Sequence, residues 1–397
     1  MKKILIIMPS MFIGGAERSL LGLLEGFDYT KVEVNLFLYR HEGEFLKYIP
    51  EQVCILPEVK QYRTFDTPIK SLIFSKQFIF GLARIFSKVV LSLHCLFKRE
   101  TSGVWMSMQY TARFLQPFLP KIRGEYDLGI MYLGIADTLI NKVEAKCKMT
   151  WNHTDYDSLH PNRKMDIETY NAIDWLVSVS ESCTKKVHSY YPQFNSKAIT
   201  IENCLARRLI MEQASELIED FNSQDDEYTL LSIGRFSDAK NFDNVPDICR
   251  RIIENGFKIK WYLIGYGADE GLIKRKIAEA GVEKYVILLG KKDNPYPYIR
   301  SCDLYVQPSR YEGKCVAVRE AQTLCKPVVI TRYETSASQL EDGIDGVIVQ
   351  MDNEGCANGI MELLNNSRKM LELSKNCAER DYTNSKEIEK IYKVLGV

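Results

Sequence analysis

At 397 residues the chain is too long for one ordinary hydrophobic core and suits two domains of conventional size. Its 46% apolar and 26% charged residues give a soluble globular balance at zero net charge, and no run reaches the roughly 18 uncharged apolar residues that a membrane span requires. Eleven cysteines without a Cys-x-x-Cys pair exclude a zinc ribbon and a thioredoxin-type motif, imply no disulfide framework, and point to a reducing, cytoplasmic compartment.

In chain order, the first apolar run, 4–8, follows Lys2 and Lys3 and stops at Pro9, so it reads as a buried strand and not as a secretion signal. Runs at 32–38, 128–132, 149–151, 175–179 and 198–201 extend a first set of strands. A second set follows at 229–233, 261–264, 286–289, 304–307, 328–331 and 347–349. Helical patterns at 17–27, 244–255, 273–280 and 316–324 lie between them. Continuous Val/Ile/Leu runs alternating with helices suit a parallel sheet covered on both faces, because such strands have no solvated side. The acidic stretch 216–227 is expected to link the halves. The fold class is therefore α/β, two doubly wound Rossmann-like domains facing each other across a cleft, with ligands beyond the carboxyl ends of the strands.

Segment 60–123 breaks the rhythm, with eleven Lys or Arg against two acids, Asp66 and Glu100, a net +9 balanced by −9 elsewhere. Aromatic residues such as Phe78, Phe86, Phe97 and Trp105 are interleaved with the charge. A basic, aromatic amphipathic stretch fits a helix lying on an anionic membrane surface, with Arg84, Lys88, Lys98 and Arg99 toward the lipid. The competing reading is a pair of core helices with snorkelling lysines. No nucleic-acid-binding motif accompanies the charge, so no nucleic-acid partner is expected.

Three places carry residue types suited to phosphate and sugar. Gly14 and Gly15 follow the first strand and open a helix, where backbone approaches a ligand closely and an anion is favoured. Gly234-Arg235 follows the strand 229–233, with Lys240 five residues on, and two cations at a strand mouth are placed to neutralise a diphosphate. After the strand 304–307 come Glu312-Gly313-Lys314-Cys315-Val316 and then Glu320. A helix starting at Gly313 would leave the amides of Lys314, Cys315 and Val316 for phosphate, and eight residues of helix would separate the two glutamates by ~12 Å. Asp155-Tyr156-Asp157 has the form of a metal-binding Asp-x-Asp but lies far from these cations in sequence, so a surface turn is expected, with no metal and no other cofactor.

This constellation resembles glycosyltransferase family four, and the similarity runs through Gly14-Gly15-Ala16-Glu17-Arg18, His153, Ser178-Val179-Ser180-Glu181, Gly234-Arg235 with Lys240-Asn241, Leu289-Gly290 and the Glu312/Glu320 pair. The resemblance implies the GT-B fold and a retaining, metal-independent transferase. It would move a sugar from a nucleotide diphosphate donor, UDP-linked, to a lipid-linked or polysaccharide acceptor in bacterial surface-polysaccharide synthesis, at the inner face of the cell membrane. It also implies roles. Arg235 and Lys240 would hold the diphosphate, Glu312 the donor sugar, Glu320 the ribose, Leu289-Gly290 the base, Gly15 the phosphates, and His153 the acceptor side near the anomeric carbon. Lys314 replaces the aromatic residue of many relatives and Arg319 precedes Glu320, two cations that bear on donor choice. The expected domains are 1–206 for the acceptor and 207–378 for the nucleotide sugar, with a helix in 379–397 returning to the first. A nucleotide-sugar epimerase of the same architecture and a non-catalytic membrane scaffold are the rival readings.

Overall fold

The computed structural model describes all residues except 100, 155, 157, 158, 222–225, 313 and 314. The chain divides into two compact units, Met1–Leu205 with Asn384–Val397, and Ala206–Thr383. The first holds β1 (Lys2–Met8), β2 (Val32–Leu38), β3 (Cys54–Ile55), β4 (Glu125–Met131), β5 (Glu144–Asn152), β6 (Trp175–Ser178) and β7 (Ala198–Thr200). They pair in parallel in the order β3-β2-β1-β4-β5-β6-β7. The second holds β8 (Tyr228–Ile233), β9 (Ile259–Ile264), β10 (Val286–Gly290), β11 (Leu304–Gln307), β12 (Val328–Thr331) and β13 (Val347–Val349), ordered β10-β9-β8-β11-β12-β13.

The apolar runs form strands because helices on both faces bury them; Ile4, Leu5, Ile6, Ile7 and Met8 are wholly inaccessible. In the second unit, buried Trp261 of β9 donates from Nε1 to Ser232 Oγ of β8 at 2.9 Å, and that hydroxyl donates to the Val306 carbonyl of β11 at 2.5 Å. One polar chain thus ties three neighbouring strands without leaving a donor unmet. The strand missing from the sequence reading, β3, has two residues, both exposed, and so carries no apolar signal.

The acidic stretch 216–227 is not the junction expected of it. The units divide at Leu205–Ala206. Within the second unit Asp220 accepts from Tyr298 Oη at 2.7 Å and pairs with Lys292 at 2.5 Å, while Glu216 accepts from Asn294 at 2.8 Å. At the other end, the helix Ile388–Leu395 lies in the first unit. There Tyr392 Oη accepts from the Asp28 amide at 2.6 Å, and Lys390 donates to the Thr200 carbonyl at 2.9 Å.

Each sheet reverses its strand order once, at β1/β4 and at β8/β11, and such switch points open a crevice at the carboxyl ends of the strands. The fold therefore brings the loop after β8 beside the loop after β11, although they are some seventy residues apart in sequence.

Segment 60–123 forms the helices Phe78–Lys98 and Val104–Leu115 of the first unit. Phe80, Gly81, Ser87 and Leu91 face inward, and Phe86 meets Phe114 edge-on with ring centroids 5.3 Å apart. The opposite side leaves Phe78, Ile79, Leu82, Ile85, Phe86, Val89, Leu93, Leu96 and Phe97 exposed. Once Arg84 and Lys88 are tolerated within it, this helix is long and apolar enough to cross a membrane, and only 22% of its most apolar stretch is buried. It is therefore not a core helix. Arg84 departs from the expectation of a lipid-facing cation. Its guanidinium donates to the carbonyls of Thr64, at 2.9 Å, and Thr67, and burial lowers its pKa. Lys88, Lys98 and Arg99 are exposed.

Candidate functional site

At the β8/β11 switch point the sequence-selected residues of the second unit converge. Gly234 directly follows β8, and the aliphatic part of Lys240 folds over it; a Cβ there would lie 3.1 Å from Lys240 Cε. Gly265, after β9, has φ +153°, and a Cβ on it would stand 1.8 Å from the Gly234 carbonyl oxygen, so only glycine permits these backbones to meet. Gly267 is confined in the same way, since a Cβ on it would stand 2.2 Å from the Phe236 carbonyl oxygen. Phe236 and Tyr266 join the two loops by a backbone hydrogen bond of 2.9 Å.

Lys240 Nζ lies 2.5 Å from Glu312 Oε1 and 3.8 Å from Cys315 Sγ. Burial opposes the lysine charge, but Cys315 and Glu312 beside it outweigh that and raise its pKa. Glu312 is held from three directions. Ser309 Oγ donates to the same carboxylate oxygen at 2.6 Å, and Thr335 Oγ1 donates to the Glu312 carbonyl at 2.7 Å. Behind Ser309 runs a chain of donors, Tyr305 Oη to Gln307 Oε1 at 2.9 Å and Gln307 Nε2 to Ser309 Oγ at 3.0 Å, each link fixing the polarity of the next. The loops are stapled together by Arg310, whose fork spans both carboxylate oxygens of Asp243 at 2.9 and 3.0 Å, and by Asn241, which donates to the Pro308 carbonyl at 2.8 Å.

Arg235 is different. Its side chain is exposed, and among the described residues it forms no ion pair. Glu320 lies buried on the helix Val316–Thr323, where Tyr296 Oη donates to its Oε1 at 2.8 Å. Leu289 and Gly290 end β10 at the same edge of the sheet, and Gly290 adopts φ +67°.

The described helix runs Val316–Thr323, and Glu312 lies outside it, so the ~12 Å helical spacing between the glutamates does not hold. The Cys315 amide donates to Gln339 Oε1 at 2.7 Å, a bond that a phosphate would have to displace. Val316 is 45% exposed as the first helical residue; Gly313 and Lys314 lie outside the described residues, as do Asp155 and Asp157.

In the first unit Gly15 opens the helix Gly15–Gly26 directly after β1, and a side chain there would meet nothing within 4 Å. His153 follows β5, and its Nε2 lies 2.8 Å from the Tyr132 carbonyl oxygen, which only a protonated Nε2 can satisfy. A cavity of about 320 Å³ opens between the ends of β1 and β2 and the residues after β4, lined by Pro9, Tyr39, Asp66, Arg84 and Gly134.

Residues 213–382 match the family described as glycosyl transferases group 1. Across 98% of this chain and 97% of its own length, N-acetylgalactosamine-N,N'-diacetylbacillosaminyl-diphospho-undecaprenol 4-alpha-N-acetylgalactosaminyltransferase of Campylobacter jejuni is 25% identical. The chain is a glycosyltransferase. A 26% identity to poly(ribitol-phosphate) alpha-N-acetylglucosaminyltransferase of Staphylococcus aureus covers 34% of the transferase and 28% of that protein. Among solved structures, TarM of S. aureus matches with TM-score 0.61 at 14% identity, over 100% of this chain and 99% of TarM. HepE of Anabaena, in complex with UDP, matches with TM-score 0.56 at 15% identity over the whole of both chains. At such identities these likenesses establish the fold, which is GT-B.

Sequence reasoning gave no role to Ser309, Arg310 or Asp243 of the transferase, although the first two stand between the strand 304–307 and Glu312. The effect of burial on His153 was equally invisible in the sequence. Desolvation pushes its pKa down to about 4, against the opposing bond to Tyr132, so the imidazole is neutral at pH 7 and acts as a fixed tautomer, not as a cation. Unfolding restores a pKa of about 6.5, so between these values the unfolded chain binds the extra proton and stability falls as the pH drops. At pH 5 the wild-type transferase should therefore lose about 2 kcal/mol relative to pH 7 that His153→Gln does not lose. Urea unfolding at both pH values checks this, and identical losses would refute the neutral, half-buried histidine.

Proposed function

We propose that the transferase moves a sugar, with retention of configuration and without a metal, from a UDP-linked donor bound by the second unit to a lipid-linked or polysaccharide acceptor held by the first. The observation that carries the reading is Arg235, exposed and without an ion pair among the described residues, at the same strand ends as the Lys240–Glu312–Ser309 network. A dianionic diphosphate is the ligand such a cation suits. Arg235, and Lys240 once released from Glu312, stabilise the leaving diphosphate; Glu312 then takes a hydroxyl of the donor sugar and Glu320 the ribose. The Leu289–Gly290 end of β10 serves the base. As the bond from the anomeric carbon to the diphosphate oxygen breaks, the acceptor hydroxyl attacks from the same face and its proton passes to the departing diphosphate. Charge stabilisation preorganised in this way supplies most of the acceleration.

The acceptor class is supported by the diphospho-undecaprenol named for the C. jejuni relative, which the alignment covers almost entirely, and the base by the UDP in the HepE complex. The first unit's cavity at the strand ends serves the acceptor sugar, with Gly15 and His153 on that side. The apolar side of the helix Phe78–Lys98, flanked by Lys88, Lys98 and Arg99, lies on the inner face of the cell membrane, and eleven free thiols accord with a cytoplasmic location.

The test is titration of UDP by calorimetry. Arg235→Ala should weaken binding by about 1.5–3 kcal/mol, the range for a charge-assisted contact. Unchanged affinity in a folded variant would remove Arg235 from the site.

A further inference from the structure

At the C-terminal end of the helix Phe78–Lys98, wholly within the first unit, an open cavity of about 1070 Å³ has no part in the chemistry described above. That is the upper end of the ~300–1,000 Å³ range of small-molecule sites. Five cations line it, Lys98, Arg99, Arg113, Arg163 and Lys164, and among the described residues the carboxylate on its wall is Glu168, which pairs with Arg113 at 2.8 Å. Like charges gathered around one opening repel each other and add nothing to folding.

Ordinary helix electrostatics explain only part of this cluster. Lys98 and Arg99 end a helix, where the backbone dipole favours cations. Arg163 and Lys164 do the reverse, for they open the helix Arg163–Asn171 behind its cap, Asn162, where the dipole disfavours positive charge. Arg163 is held in that position with its guanidinium carbon 4.6 Å from the centre of the Tyr190 ring. Cations maintained against the local field point to an anion that enters from outside.

The same helix supplies the second half of the ligand. Val90, His94 and Lys98, spaced by four, face the cavity, while Val89, Leu93, Leu96 and Phe97 on the adjoining side are exposed and apolar. An amphiphile with an anionic head and a long apolar chain would fill the cavity with one end and lie along the helix with the other. A nucleic acid offers the charge without the chain.

We propose that this cavity binds the phosphate head of the lipid-linked acceptor, with Lys98, Arg99, Arg163 and Lys164 as its ligands. The assignment rests on the membrane-acceptor reading above, but it concerns a site separate from the donor residues and can fail by itself. Farnesyl diphosphate, farnesol and inorganic pyrophosphate serve as probes, titrated into the full-length protein alongside UDP. Farnesyl diphosphate should bind at least about tenfold more tightly than either farnesol or pyrophosphate, and the preference over farnesol should shrink at high salt. The combined variant Lys98→Gln, Arg99→Gln, Arg163→Gln and Lys164→Gln should lose at least about tenfold in affinity for farnesyl diphosphate while binding UDP as the wild type does. Retained affinity for farnesyl diphosphate in a variant that still binds UDP would overturn the proposal. So would pyrophosphate binding as tightly as the lipid, which would mean a site for free anions, or farnesol binding as tightly, which would mean a purely apolar surface. These last two comparisons use the wild type alone, so misfolding of the variant leaves the decision intact. Absence of UDP binding by the wild type, with the lipid preference present, would instead refute the donor assignment.

Discussion

Glu312→Gln is expected to reduce sugar transfer by about 100-fold or more without weakening the binding of UDP. The carboxylate accepts from Lys240 and Ser309 through one oxygen, Oε1, and its backbone is fixed by Thr335, so its position owes little to any ligand. A group held this firmly can meet a sugar hydroxyl at no ordering cost, and a neutral amide in its place would accept that hydrogen bond more weakly. Bare UDP has no sugar to meet it. Removing the carboxylate even releases Lys240 toward the phosphates, so affinity for UDP should stay level or tighten. Glu320→Gln should behave otherwise. That carboxylate is buried on the helix Val316–Thr323 and bonded to Tyr296, and if it receives the ribose, UDP binding should weaken together with transfer. The comparison needs initial rates with the sugar donor and calorimetry with UDP, both on protein shown to be folded. Equal weakening of UDP binding by the two substitutions would show that the roles are divided wrongly.

What the sequence made legible follows from the range over which each interaction acts. Strands buried on both faces advertise themselves as unbroken apolar runs, so β1, β2, β8 and β11 could be read directly, whereas Cys54 and Ile55 of β3, exposed at the sheet edge, could not. Arg235, Lys240 and Glu312 were legible because each follows a strand end. Their meeting was not, because nothing local in the chain states that β8 lies beside β11. Arg310 and Asp243, 67 positions apart, are partners only through that adjacency. Side-chain capture across long separations is equally hidden. Gln339, 24 residues beyond Cys315, accepts from its amide. Arg84, which charge patterning placed toward solvent and lipid, is drawn inward by the backbone carbonyls of Thr64 and Thr67. The basic character of the 1070 Å³ cavity was half visible, as Lys98 and Arg99, while Arg163 and Lys164 come from the helix Arg163–Asn171, outside the segment whose charge was counted.

The pairing of Lys240 with Glu312 should carry the largest effect on stability. Their side chains are only 18% and 11% exposed, and breaking a buried pair leaves one charge without compensation, at a cost of about 3–5 kcal/mol. Partial access to solvent places the expectation near the lower figure. Lys240→Met strands the Glu312 carboxylate with the Ser309 hydroxyl, and Glu312→Gln strands the ammonium without its carboxylate partner. Each single variant should therefore unfold about 3 kcal/mol more easily than the wild type. The double variant Lys240→Met, Glu312→Gln removes both charges together, and its loss should be smaller than the sum of the two by about 2 kcal/mol or more. Denaturant unfolding of all four proteins closes the cycle. Additive losses would mean that the two side chains are coupled weakly in solution, and Lys240 would then be free to meet a diphosphate without first leaving a partner. A strong coupling has a functional consequence that the same proteins can reveal. Donor phosphate must compete with Glu312 for Lys240, so part of the binding energy of UDP goes into separating the pair. Glu312→Gln should then bind UDP more tightly than the wild type, while Lys240→Met should bind it more weakly by the loss of one charge-assisted contact, about 1.5–3 kcal/mol.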